Sequence, residues 1–171
     1  TTDTEVVIHL YEEYGPKFLQ KINGQYAIAI WDTKTKSLFL ARDRMGIRPL
    51  YYAFINGNFV FSSEIKALMA IENFSPEIDE VVLKEVFTYW GPLSPRSIFK
   101  NVNELPPGSF LHFQNGNVKI EAYWKLDFPE QKIEKTENEY IDEFEDLLIN
   151  ASQIRLRADV PVGAYLSGRL H

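Results

Sequence analysis

The chain has 171 residues, 45% hydrophobic and 14% aromatic, with a formal net charge of −6 and no cysteine. That is enough apolar material for one ordinary domain and part of a second, and it excludes global disorder. The acidic balance argues against a nucleic-acid partner, the missing cysteine removes disulfides and thiolate metal sites, and no apolar run approaches the roughly 18 residues of a membrane span. No secretory leader pattern opens the chain, and the absence of cysteine fits a cytoplasmic protein.

Thr2-Asp3-Thr4-Glu5 reads as a capping box, and Val6, Val7, Leu10, Tyr11 and Tyr14 then recur at helical spacing up to Gly15. Pro16 opens a second short helix that buries Phe18, Leu19 and Ile22, and Asn23-Gly24 breaks it. From Gln25 the period becomes two. Tyr26, Ile28 and Ile30 alternate with Ala27, Ala29 and Trp31, and both sets are apolar, so this strand is expected to be covered on both faces. Ser37–Asp43, Leu50–Ile55 and Asn58–Ser62 follow as strands, the last two joined by Asn56-Gly57, and together they predict an antiparallel meander.

Ser63-Glu64 is expected to start a helix through Ala70, and Asp79 to cap another through about Tyr89. The stretch from Gly91 to Gly108 is proline-rich and reads as irregular. Ser109–Gln114 and Val118–Trp124 form a hairpin around Asn115-Gly116. Residues 127–136 have the character of a linker. A second capping box, Thr136 to Glu139, opens a long amphipathic helix carrying Tyr140, Ile141, Phe144, Leu147, Leu148 and Ala151 to about Arg157. Val160–Leu166 is wholly apolar apart from its tyrosine and reads as a strand of parallel type. The chain thus changes near Asp127 from an antiparallel sheet with helices to the opening of an α/β unit.

Two stretches are candidates for more than scaffolding. In Ala41–Tyr52 the residues Arg42, Asp43, Arg44 and Arg48 crowd a turn constrained by Gly46 and Pro49. They read as an anion site or, more simply, as an ion-pair network that pins the turn. Near the other end, Asp159-Val160-Pro161-Val162-Gly163 leads to Leu166-Ser167-Gly168, a strand that ends in a loop of the kind that cradles phosphate.

With Asp3-Thr4-Glu5-Val6-Val7, Asn23-Gly24, Ala27–Asp32, Ser63–Leu68 and Leu105-Pro106-Pro107-Gly108, these segments resemble, in order, the glutamine-hydrolysing asparagine synthetases. The Arg-Asp-x-x-Gly-Ile-Arg-Pro-Leu string alone resembles the wider class II glutamine amidotransferases. The resemblance implies an α+β chain: the later part of an N-terminal-nucleophile-type antiparallel αββα sandwich, residues 1–126, then a linker, 127–136. The first helix and strand of an α/β adenine-nucleotide α-hydrolase-like synthetase domain would follow in 137–171. It implies a parent enzyme that frees ammonia from glutamine at a cysteine nucleophile and uses ATP, with Mg, to amidate aspartate.

Within that resemblance, Asp3 matches the aspartate that holds the glutamine amino group, while its plain role is to complement the dipole of its own helix. Leu166, Ser167 and Gly168 match the ATP loop. Here the pattern departs from the family: Arg169, Leu170 and His171 stand where a second glycine, aspartate and serines are expected, and Arg169 and His171 read as an appended terminus. Without the cysteine, the segment alone is expected to be inactive, with no catalytic residue and no bound cofactor or metal of its own. Thr1 as an N-terminal nucleophile is disfavoured by its place next to a helix cap. His9 reads as solvated, His112 as without a role, and Tyr51 and Tyr52 as core. The alternatives are a non-catalytic glutaminase-like scaffold or assembly domain, and a sister amidotransferase acting on another carboxylate. The Gln25–Asp43 strands are expected to leave an uncovered edge or face, so a lone copy is expected to dimerise or aggregate.

Overall fold

The computed structural model describes residues 2–128 and 135–165. The chain divides into two compact units, Thr1–Leu126 and Asp127–His171.

In the first unit, helix α1 spans Asp3–Tyr14. Thr2 is its N-cap and accepts from the Glu5 N–H at 3.4 Å, and Gly15 ends it at φ 54°. A 3-10 helix, Gly15–Gln20, carries the buried Phe18 and Leu19. Four strands form the first sheet in the order β1-β2-β6-β7: β1 Ala27–Asp32, β2 Ser37–Arg42, β6 Ser109–Gln114 and β7 Asn117–Ala122. Three form the second in the order β4-β3-β5: β3 Tyr51–Ile55, β4 Asn58–Ser62 and β5 Val102–Glu104. All pairings are antiparallel.

Side-chain alternation sorts the core into three layers. Ile28, Ile30, Phe39 and Ala41 face Val7, Leu10, Tyr11, Phe18 and Leu19, so α1 and the 3-10 turn cover the first sheet's outer face. Leu38, Leu40 and Leu111 face Leu50, Tyr52 and Phe59 between the sheets, where the Phe59 and Phe113 rings stack at 4.4 Å. Ala53, Ile55 and Val102 face Leu68, Ile65 and Ile71, with Leu68 and Ile65 on the one-turn helix α2, Ile65–Leu68. The order is helix, sheet, sheet, helix: an α+β, αββα arrangement of antiparallel sheets.

Four expectations in the first unit are corrected. The meander does not form, because the Arg42–Leu50 turn carries the chain from one sheet to the other, leaving β1 and β2 in the first sheet and β3 and β4 in the second. The helix expected from Ser63 to Ala70 is only α2, since one turn suffices to seat Leu68. The segment between Gly91 and Gly108 supplies β5, which pairs with β3 through Tyr51–Glu104 and Ala53–Val102. Finally, β1 is covered on one face only. Ile28 and Ile30 are half-buried, whereas Ala27, Ala29 and Trp31 are exposed, because the three-stranded second sheet does not reach under β1.

Helix α3, Glu80–Tyr89, follows its predicted cap: Asp79 accepts from the N–H groups of Val81 and Val82 at 3.0 and 3.3 Å. In the second unit α4, Glu137–Arg155, opens on a complete capping box, with Thr136 accepting from Glu139 N–H and Glu139 Oε2 accepting from Thr136 N–H at 2.7 Å. The strand expected over Val160–Leu166 is not formed in residues 160–165, which are exposed; the second unit has no strand among the described residues to complete a ladder with them.

Candidate functional site

A groove of about 880 Å³ runs along β1, bounded by the start of α1, the Asn23-Gly24 turn and the strand itself. The elements that build it are local. The Thr2 cap starts α1, the turn reverses the chain, and β1 returns beneath the helix with its edge open. Asp3 is the first residue of α1 and lines the groove, as do Thr4, Asn23, Gly24, Ala29 and Trp31. Its carboxylate is exposed and makes no hydrogen bond or ion pair among the described residues. It is also a first-turn acid on the positive end of α1, alongside Glu5. Both readings of Asp3 therefore survive, because an exposed carboxylate has oxygens to spare for an ammonium. The remaining groove wall is largely apolar, from Val6, Ile8, Ile22 and Trp31.

The arginine-rich turn is a different construction. Arg42 is 5% exposed, and its guanidinium is used on all sides. Nε donates to Arg48 O at 2.8 Å, Nη1 to Leu105 O at 2.8 Å and Nη2 to Gly46 O at 2.6 Å, while Nη2 also lies 2.9 Å from Glu104 Oε1. Asp43, 1% exposed, accepts from the Ile47 and Arg48 N–H groups at 2.9 Å each and from Tyr26 N–H at 3.3 Å. These two residues pin the crossover between the sheets, which fits the structural reading of the cluster over the anion site. The network is narrower than the sequence implied. Arg42 pairs with Glu104, which no motif marked, and Arg48 enters only through its backbone.

Tyr26 and Tyr123 extend this network. Their hydroxyls lie 2.7 Å apart, and Tyr123 donates to Arg42 O at 2.9 Å, so Tyr26 is the donor to Tyr123. Burial, then the hydrogen bond it donates to Tyr123, pushes the Tyr26 phenol far above its ordinary value; burial also raises Tyr123. Tyr123 is distant in sequence from Tyr26, and only the hairpin of β6 and β7 brings it there. Alongside, a second groove of about 480 Å³ is lined by Arg44, Met45, Pro107, Trp124 and Lys125, and Arg44 Nε is buried without a hydrogen-bond partner.

Of the other candidates, His9 is exposed and lies 3.5 Å from Glu12 Oε2, and His112 is half-buried in β6. Tyr51 and Tyr52 pack into the core. Thr1, Leu166, Ser167, Gly168, Arg169 and His171 lie outside the described residues. No cluster of potential metal ligands occurs among the described residues, and no helix there is long and apolar enough to cross a membrane.

The chain is 37% identical over 171 residues to putative glutamine-hydrolyzing asparagine synthetase 2 of Methanocaldococcus jannaschii, covering 99% of this chain and 33% of that protein. Glutamine-hydrolyzing asparagine synthetase 3 of Bacillus subtilis is 34% identical, with 99% of this chain and 28% of that protein covered. Amidase chyE of Penicillium rubens is 36% identical, with coverage of 98% and 25%. The chain thus spans a quarter to a third of the length of these curated relatives. The model of the glutamine amidotransferase domain matches residues 1–124, and the chain belongs to that family.

Proposed function

We propose that this chain is a segment of a glutamine-hydrolysing asparagine synthetase. Its first unit contributes to the domain that frees ammonia from glutamine, and its second opens the part that uses ATP to amidate aspartate. One observation carries this reading: the relatives named asparagine synthetase match across 99% of the chain, past residue 124 and through the second unit. A glutaminase-like scaffold shared only at the level of the first unit would not produce that extent of match.

In this reading Asp3 holds the amino group of glutamine, and the groove along β1 receives the rest of the molecule. An exposed, unpaired carboxylate at the mouth of a groove suits an ammonium, and the small residues Gly24, Ala27 and Ala29 leave room beside it. The Arg42–Asp43 network has no chemical step of its own; it fixes the turn that joins the two sheets. ATP and Mg belong to the second half of the reaction, with Leu166, Ser167 and Gly168 at the nucleotide. The segment by itself is not expected to hydrolyse glutamine, since it has no cysteine to attack the amide.

The test is made on the longer protein that carries this segment. Glutamine-dependent formation of asparagine and AMP from aspartate and ATP is expected. Asp3→Asn is expected to raise the glutamine KM by about 10- to 100-fold, the loss of one charged hydrogen bond, and to leave ammonia-dependent synthesis intact. An unchanged glutamine KM removes Asp3 from the site. The match to amidases such as chyE favours a second reading, a sister amidotransferase with another acceptor carboxylate. Product from a different carboxylate and none from aspartate decides for it.

A further inference from the structure

At one end of the first sheet the ladder runs on for one residue beyond the strands. The registers Ala27–Arg42, Ala41–Phe110 and Ser109–Ala122, continued past the strand ends, set Tyr26, Asp43, Gly108 and Tyr123 side by side. Backbone bonds join them in that order. Asp43 N–H donates to Tyr26 O at 3.0 Å, Gly108 N–H to Asp43 O at 2.9 Å and Tyr123 N–H to Gly108 O at 2.9 Å. The outer two then meet over the inner two. Residues opposite one another share a face of the sheet, and neither inner side chain stands in the way: Gly108 has none, and Asp43 turns its carboxylate to the N–H groups of Tyr26, Ile47 and Arg48. The Tyr26 hydroxyl reaches the Tyr123 hydroxyl at 2.7 Å, and Tyr123 donates on to Arg42 O at 2.9 Å. Three strand spacings, roughly 14 Å, are closed in this way into one ring of hydrogen bonds.

Resting on the reading that glutamine lies beside Asp3, we propose that this ring is a clasp that holds the glutamine groove in shape. Tyr123, beyond the strand farthest from the groove, is then a positioning residue that acts through Tyr26. Three observations link the clasp to the groove. First, Tyr26 lines it, as do its neighbours Gly24 and Ala27, whereas Tyr123 does not. Second, the Tyr26 ring lies in the layer where Val7, Leu10 and Tyr11 of α1 meet Phe18 and Phe39, between the sheet and the helix that carries Asp3. Third, both backbone groups of Tyr26 are bound to Asp43, which leaves the phenol as the part that the bond to Tyr123 restrains. With that bond made, the ring keeps one setting, and the Asp3 carboxylate and the wall at Gly24 and Ala27 keep a fixed spacing for a ligand that must reach both. With it broken, the ring is free to turn within the groove it lines, and binding glutamine must also order the ring.

The test uses the longer protein that carries this segment and compares Tyr123→Phe, Tyr26→Phe and the double variant, each of which keeps the packed ring and loses the hydroxyl. Each is expected to raise the glutamine KM about 2- to 10-fold, the contribution of one neutral hydrogen bond. The double variant is expected to go no higher than Tyr123→Phe alone, since neither hydroxyl restrains the ring without the other. Ammonia-dependent synthesis by Tyr123→Phe is expected to match that of the unmodified protein. Tyr26→Phe retains the Tyr123 bond to Arg42 O, so it isolates the clasp should Tyr123→Phe unfold. A bond of merely structural importance lowers the urea midpoint and leaves the glutamine KM where it was; that result overturns the proposal, as do KM effects that multiply in the double variant. Asp3→Asn, measured in parallel, separates two failures. A KM raised by Asp3→Asn but not by Tyr123→Phe removes the clasp and keeps the groove. A KM that neither variant moves removes both.

Discussion

Arg42→Ala is expected to be among the most damaging substitutions in the first unit. The side chain donates to three carbonyls, of Gly46, Arg48 and Leu105, and meets the Glu104 carboxylate at 2.9 Å. Removing it leaves those acceptors unpaired together and leaves Glu104, whose side chain is 17% exposed, without its cation. Breaking a buried ion pair from one side costs about 3–5 kcal/mol, and the carbonyls recover part of their loss by admitting water to the vacated volume, so the net expectation is about 4 kcal/mol. Against a typical stability of about 5–15 kcal/mol, that leaves the chain folded but strongly destabilised. The assay is urea unfolding followed by tryptophan fluorescence, since Trp124 packs beside Gly108 close to the network. Arg42→Lys is expected to recover less than half of the loss, because an ammonium cannot reach acceptors spread around a planar fork. Arg48→Ala, at an exposed side chain whose backbone does the bonding, should stay within about 0.5 kcal/mol of the unmodified chain. If Arg42→Ala costs less than about 1 kcal/mol, or no more than Arg48→Ala, then Arg42 does not pin the crossover between the sheets.

Two glycines test the same region through the backbone. A Cβ at Gly108, φ +61°, would meet Trp124 O at 2.6 Å, and one at Gly46, φ +66°, would meet Pro107 Cγ at 2.8 Å. Gly108→Ala is therefore expected to lower the urea midpoint well beyond Gly116→Ala, which has φ +80° but open space and should cost only the roughly 1–2 kcal/mol of the left-handed conformation. Equal losses at the two sites would show that the Trp124 carbonyl moves aside. Alkaline pH tests the tyrosine pair. Burial and the Tyr123 bond raise the Tyr26 phenol, so above pH 10 the folded state keeps a proton that the unfolded chain releases. Stability from this pair is fully present below pH 10 and falls as pH rises further. The urea midpoint is expected to drop as pH rises above 10, and less steeply in Tyr26→Phe; identical slopes would mean that Tyr26 titrates normally in the fold.

Much of the local structure was legible because single residues dictate it. Thr2, Asp79 and Thr136 cap the helices that the periodicity marked, and Asn115-Gly116 turns the hairpin where the dipeptide stands. Asp3 and the Asn23-Gly24 turn were likewise readable as a pair of signals, though nothing in their spacing says that they share a groove with Trp31. The β1 strand shows the limit of pattern reading: Ala27, Ala29 and Trp31 are apolar enough for a core, and only the width of the facing sheet decides that they stay exposed.

By itself, then, the order of residues determined where helices start, where strands turn and that Arg42 and Asp43 needed partners, since caps, turns and buried charges obey rules that act over a few positions. Tertiary structure alone decided who those partners are. Arg42 meets Glu104 and Leu105, Tyr26 meets Tyr123, and β2 lies between β1 and β6, because these contacts depend on how two sheets stack and not on any spacing along the chain.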